Sequence, residues 1–216
     1  MIERPANVDA TAHDLAGRII SAAGGKNRFV TAIAGPPGSG KSTLADAVAD
    51  AINAQTGRDC ATVFPMDGFH FDDAILEARG DRPRKGAPHT FDVDGYRHAL
   101  MRLREATSDV AVPVFDRSLE LSRGSARLIT PKHTFIISEG NYLLLDQAPW
   151  SNLAAMFDLT VAIVEPEAEL ARRLQARWVH YKLTPNEIIA KMEDNEMPNV
   201  RLVLNGSRKA DVVVGR

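Results

Sequence analysis

Residues 35–43 read GPPGSGKST, and no other stretch narrows the options of this chain so sharply. The pattern is glycine, four residues, glycine, lysine, then a hydroxyl residue. Gly35, Gly38 and Gly40 let the backbone wrap with its N–H groups pointing inward, where side chains would block a phosphate. Lys41 puts a point charge on the β- and γ-phosphates of a nucleotide, and the Ser42 hydroxyl is suited to ligate Mg²⁺. A helix starting here adds its positive N-terminal end. Pro36, Pro37, Ser39 and Thr43 complete the same cradle. From this chain's composition, a chance match has odds of roughly three in a thousand. The context also fits: RFVTAIAG reads as a buried strand before the loop, and Leu44, Ala45, Val48, Ala49 and Ile52 mark one helix face after it. The expectation is a site for a nucleoside triphosphate, not a glycine-rich turn without a ligand.

The rest of the chain alternates strand and helix signals. A leading helix is predicted over 8–23, stopped by Gly24-Gly25, and CATVFPMD reads as a second strand. Residues 68–92 are polar, rich in Gly and Pro and poorly periodic, which predicts a lid or substrate loop. A helix follows over 96–105. DVAVPVFD, HTFIISEG and LTVAIVE are three more apolar runs, and a helix carrying arginines covers about 168–182. Thr184-Pro185-Asn186-Glu187 is a helix start, with a capping Thr, Pro in the first turn and Glu three residues on. ADVVV closes the chain as a strand. This alternation predicts an α/β fold: a central parallel β-sheet flanked by helices on both faces, in one domain over 1–216.

Bulk composition sets the remaining limits. The net charge of −2 over 216 residues gives no basic field for nucleic acid or an anionic membrane. No apolar run approaches the ~18 residues of a membrane span, and MIERPANVDATAHDLAGRII lacks the apolar core of a secretory signal. Cys60 is the single cysteine, so an internal disulfide is excluded, and its surroundings predict a buried strand thiol. The expected setting is cytoplasmic. Monomer and homodimer stay open.

In doubly wound sheets, ligands sit outside the carboxyl ends of the strands. If the apolar runs lie parallel, Asp67, Asp116 and Glu139 emerge along one edge, because VFPMD, VPVFD and FIISE each end on an acid. A phosphate loop facing carboxylates suits phosphoryl transfer, one acid steering Mg²⁺ and another taking the proton of an attacking hydroxyl. The competing readings are a turn cap for Asp67, a structural carboxylate for Glu139 and an ion pair of Asp116 with Arg117. Arg172, Arg173 and Arg177 are either a solvated face or a lid that neutralises charge developing in transfer. His70 and His89 flank the long polar loop, and neither has a metal-ligand partner at useful spacing.

The glycine loop, MDGFH, PHTFD, VPVFDR and IISEGNYLL together resemble the family of phosphoribulokinase, uridine kinase and bacterial pantothenate kinase. The nearest likeness within it is to bacterial proteins described as fructose transport system kinases. The resemblance spans about residues 28–215 and implies a three-layer P-loop fold, ATP and Mg²⁺ as cofactors, and phosphorylation of a hydroxyl on a small metabolite, such as fructose, a nucleoside or pantothenate. It also implies Asp67 as catalytic base and Glu139 as the acid near metal and substrate. Lys41, Arg173 and Arg177 would act on the transferring phosphate, with Arg172 in the same lid. Asn205 and Arg208 would lie near the adenine, and His70, His89, Asp92, Asp116, Arg117 and Tyr142 near the acceptor. Gly68 stands where uridine kinases carry serine.

Other classes predict other features. A GTPase needs an Asn-Lys-x-Asp guanine reader, which NGSRKAD does not provide. A transporter ATPase needs an LSGGQ segment, of which LSRGSA is a faint echo. A regulatory protein that binds nucleotide without turnover predicts no dependence on Asp67.

Overall fold

The computed structural model describes residues 6–105 and 107–215. In chain order the elements are α1 (Ala6–Ala23), β1 (Phe29–Ala34), α2 (Lys41–Thr56), β2 (Ala61–Pro65), α3 (Asp73–Arg79) and α4 (Val93–Glu105). Then come β3 (Val110–Asp116), β4 (Leu121–Ile129), β5 (Phe135–Gly140), β6 (Leu159–Val164), α5 (Glu167–His180), α6 (Pro185–Lys191), α7 (Met197–Gly206) and β7 (Val212–Gly215). Five strands form one parallel sheet in the order β2-β5-β1-β6-β7.

The apolar runs explain the order. Every residue of β1 and β5 is buried, so these strands occupy interior positions with a helical layer on each face. Alternation sorts their side chains. Phe29 and Ile33 of β1 and Ile137 of β5 join α1 and α2 in one core, where Leu15, Ile19, Val48 and Ile52 pack. Val30, Ala32 and Ile136 face the other core, with Tyr96 and Leu100 of α4, Val203 of α7, and Trp150 from the 3-10 turn Trp150–Met156. The result is a three-layer α/β fold. Cys60 is a free, buried thiol beside β2.

Helix ends follow their glycines. Gly40 (φ 83°) precedes α2, and Gly57 (φ 66°) follows it, donating its N–H to the Ala54 carbonyl. The predicted start at Thr184 is a full capping box: the Thr184 side chain accepts from the Glu187 N–H, and the Glu187 carboxylate accepts from the Thr184 N–H at 2.8 Å.

One expectation needs correcting, and two features go beyond the sequence reading. The run DVAVPVFD is β3, but it is not in the parallel sheet; it pairs antiparallel with β4 as a two-stranded ribbon. Strand β4 itself was not foreseen, since most of its residues are exposed and polar and it shows no apolar alternation. The 68–92 segment is also more ordered than its composition suggests. It holds α3, capped by the Asp72 carboxylate on the Ala74 N–H, and short 3-10 turns over Met66–Phe69, Arg82–Arg84 and Pro88–Thr90.

Candidate active site

Parallel register brings the motifs to one level. Ala34 of β1 pairs with Gly140 and Pro65 of β2 pairs with Glu139, so Gly35, Asp67 and Glu139 lie at a common carboxyl edge of the sheet. Asp67 is held there by the 3-10 turn Met66–Phe69, which is wedged between β5 and the β3–β4 ribbon. Two glycines permit the wedge. A Cβ on Gly140 would lie 2.5 Å from Met66 Cβ, and a Cβ on Gly68 would run into the Pro113 carbonyl. Serine at 68 does not fit that backbone approach.

The glycine loop is equally tight. A Cβ on Gly35 would stand 2.7 Å from Ser39 Oγ, and one on Gly38 (φ 80°) would stand 3.1 Å from Leu174 Cγ of α5. The tip of the loop therefore rests directly on the arginine helix. Arg173 fastens the contact, donating to the Gly38 carbonyl at 3.4 Å while pairing with Glu165 at 3.3 Å and Glu169 at 2.7 Å.

Charges of both signs converge at this edge. Burial pushes the Lys41 ammonium down, and the Glu139 and Asp67 carboxylates beside it oppose that shift. Burial pushes Glu139 up to about 7, against the pull of Lys41 and with the repulsion of Asp67 added; the nearby Ser42 hydroxyl also works to lower it. Burial also acts to raise Asp67, but the fields of His70, Arg117, Lys41 and Arg177 outweigh it and hold the carboxyl below its usual range. Arg117 Nη2 donates to Asp67 Oδ2 at 2.8 Å. His70 is depressed by burial, with its ring between Phe91 and Phe115 and its Nδ1 at 2.8 Å from the Asp67 carbonyl. Thus Lys41, Ser42, Asp67, His70, Arg117, Glu139 and Arg177 form one electrostatic unit.

Other candidate residues are placed differently. Because β3 lies outside the sheet, Asp116 does not close a parallel strand. It organises the ribbon turn instead, accepting from Ser118 Oγ at 2.6 Å and pairing with Arg123 at 3.3 Å. Asp92 is exposed and accepts from the Gly95 N–H at 2.9 Å in the first turn of α4. His89 is exposed and faces Asp81 at 3.4 Å. Arg172 is exposed and engaged with Glu169 at 2.7 Å. Tyr142 is buried and donates to the Gly86 carbonyl at 2.6 Å, tying the β5 exit to the polar segment. Arg208 fixes the end of α7 through its N–H to the Leu144 carbonyl at 2.8 Å, and Asn205 is exposed on that helix.

A buried polar cluster escaped the sequence reading. Asn195 accepts from Arg84 Nε at 3.3 Å and from Asn199 at 3.1 Å, and donates to the Lys85 carbonyl at 2.9 Å. Glu196 beside it is 8% exposed. The one available signal was the pair Asn195/Asn199 at helical spacing, two amides where a solvated helix face shows charges.

Similarity to known proteins agrees with this fold. A Schizosaccharomyces pombe protein named "Putative uridine kinase C227.14" is 34% identical over 220 residues, covering 95% of this chain and 91% of that protein. The chain belongs to the P-loop kinase family of uridine kinase, pantothenate kinase and phosphoribulokinase. Within this family, the crystal structure of a "putative fructose transport system kinase" from Silicibacter sp. TM1040 superposes with a TM-score of 0.88 at 36% identity, covering 94% of this chain and 98% of that one. A pantothenate kinase from Cutibacterium acnes is 25% identical over 181 residues, 78% of this chain but 55% of that enzyme. No family model matches the chain. Among the described residues of this family member, no helix is long and apolar enough to cross a membrane.

Proposed function

We propose that this protein is an ATP-dependent, Mg²⁺-requiring kinase that transfers the γ-phosphate to a hydroxyl of a small metabolite, with a sugar such as fructose as the favoured class. The observation that carries this reading is the convergence of Lys41, Asp67 and Glu139 on one sheet edge, with Arg117 in range of all three and Arg177 in range of Lys41 and Asp67. Uridine or pantothenate as acceptor is the next choice, by the names of the relatives.

The cradle fits a triphosphate, because Gly35 and Gly38 have no room for side chains and leave their backbone facing the phosphates. Lys41, kept in a poorly hydrated place, neutralises the transferring group more strongly than it would in water. Ser42 and Glu139, close enough for the hydroxyl to act on the carboxylate, are the pair that would hold Mg²⁺. The ion would supply Lewis-acid polarisation of the phosphate oxygens. Asp67, ionised and steered by Arg117, takes the proton of the acceptor hydroxyl as it attacks. Arg173 and Arg177 complete the charge on the far side, from a helix that serves as the lid. The segment 68–92 walls the acceptor, and the whole chain works as one domain in the cytoplasm, where ATP is at hand.

The test is ADP release by the purified protein with ATP and Mg²⁺, screened against sugars, nucleosides and pantothenate. Acceptor-dependent ADP release that needs Mg²⁺ supports the kinase. Tight ATP binding with no acceptor able to stimulate release would make it a nucleotide-binding regulator instead.

A further inference from the structure

The short turn that carries Asp67 does not satisfy its own backbone. It spans Met66–Phe69 and closes through the His70 N–H, which donates to the Asp67 carbonyl at 3.3 Å. One residue on, the pattern stops. The Phe71 N–H would reach the Gly68 carbonyl if the turn continued, but it donates to the Thr90 carbonyl at 3.0 Å. Gly68 is buried, and a buried carbonyl without a donor is costly to a fold. Its donor comes from outside the parallel sheet: the Ser122 hydroxyl of β4.

The ribbon's register explains the reach. Ser122 pairs with Phe115 of β3, and opposite residues of an antiparallel pair share a face. On that face Phe115 stands against His70, ring centres 4.7 Å apart. The register shifts between Val112 and Val114, and Pro113, which has no N–H for the ladder, falls between them. Its carbonyl abuts Gly68 so closely that no Cβ fits there. Just past β3, Arg117 donates to the Asp67 carboxylate at 2.8 Å.

Two of these ribbon contacts are directed bonds from side chains. The Arg117 side chain is 59% exposed, so water competes for it, whereas the Ser122 bond is partly buried. Gly68 has no Cβ to restrict its dihedrals, so the direction of its carbonyl must be set by what binds it. Asp67 is the next residue back along the chain.

We infer that Ser122 is a positioning residue for phosphoryl transfer: its hydrogen bond to the Gly68 carbonyl fixes the turn that aims the Asp67 carboxylate at the acceptor hydroxyl. This rests on the kinase reading, in which Asp67 is the base, and adds a residue to that site.

The test is a double-mutant cycle on ADP release, comparing Ser122→Ala, Asp67→Asn and the two combined. ATP, Mg²⁺ and whichever of D-fructose, uridine or pantothenate the parent turns over fastest serve as substrates. Ser122→Ala should lower kcat ~10–100-fold, the scale of a misaimed catalytic group, with the KM for ATP within about twofold. In the Asp67→Asn background the same change should cost less than about twofold, because the group it aims is already gone. Ser122→Thr keeps the hydroxyl and should recover most of the rate. Ser122→Val, which has the shape of threonine without the hydroxyl, should not. Thermal unfolding checks each variant, and the threonine–valine comparison decides if the alanine variant does not fold. Equal losses in both backgrounds, an unchanged kcat in Ser122→Ala, or a valine variant as fast as the threonine one would overturn the assignment and leave the base in place. A parent that no sugar, nucleoside or pantothenate stimulates would overturn it together with the kinase reading.

Discussion

Replacing Asp67 by Asn tests the core of the proposed chemistry, because it keeps size and one hydrogen-bond acceptor and removes the capacity to take a proton. General bases contribute about 10²–10⁴-fold to rate. The surroundings of Asp67 narrow that span. His70, Arg117, Lys41 and Arg177 together hold the carboxyl below its usual range, so its affinity for the proton is weak. A weaker base gains less from the transfer, which places the expected loss in the lower half, about 10²–10³-fold, or about 2.7–4 kcal/mol of barrier. Folding should hardly respond. The partner of Asp67, Arg117, has its side chain 59% exposed, and pairs of that kind are worth about 0–1 kcal/mol. Binding of ATP should stay within about threefold, since Lys41 and the loop backbone carry it. The assay is acceptor-dependent ADP release in parent and variant side by side, with nucleotide affinity measured by calorimetry and folding by thermal unfolding. A folded Asp67→Asn protein that transfers phosphate within threefold of the parent would refute the base assignment.

Three further outcomes are expected. Lys41→Ala should abolish ATP turnover with no loss in the urea midpoint, because it removes a poorly hydrated cation at a helix start; retained turnover would sink the phosphate-loop reading. Glu139 should make the nucleotide-free protein pH-sensitive: with its carboxyl raised from 4.5 to about 7, the native state binds the extra proton, so stability falls as pH rises through that window, by about 3 kcal/mol in all. Glu139→Gln should flatten the profile of unfolding midpoint against pH in chelator, and parallel profiles would remove the effect. Gly68→Ala should lower stability by about 1–3 kcal/mol in urea unfolding, because its Cβ meets the Pro113 backbone, which cannot step aside as a side chain can.

Much of the fold was legible because its signals are local. The β1–loop–α2 unit announces itself through a glycine pattern that only one backbone path satisfies, and Gly57 and the Thr184 box mark helix ends by their own chemistry. What sequence could not tell was partnership. DVAVPVFD has the composition of a parallel strand, and only its pairing with the exposed, arginine-bearing β4 makes it a ribbon, which moves Asp116 off the sheet edge. Helix α3 has seven residues, too few for a periodic pattern to stand out from a polar loop. Glu196 was invisible for another reason. It sits in the run MEDNE among acids that are mostly exposed, and a π turn, which no residue pattern signals, is what points it inward.

Asn195 fastens Arg84 and Lys85 of the polar segment to the π turn, and Tyr142 and Trp150 hold the same stretch through the carbonyls of Gly86 and Pro88. Helix α5, which bears Arg177, packs on the same π turn, so it and the polar segment proposed to wall the acceptor meet at one junction. Whichever ligand arrives first and orders that junction spares the second the entropy of doing so. By reciprocity, the acceptor should tighten nucleotide binding by the same factor as nucleotide tightens the acceptor. For the kinase proposed here, each substrate's apparent KM should then fall as the other approaches saturation.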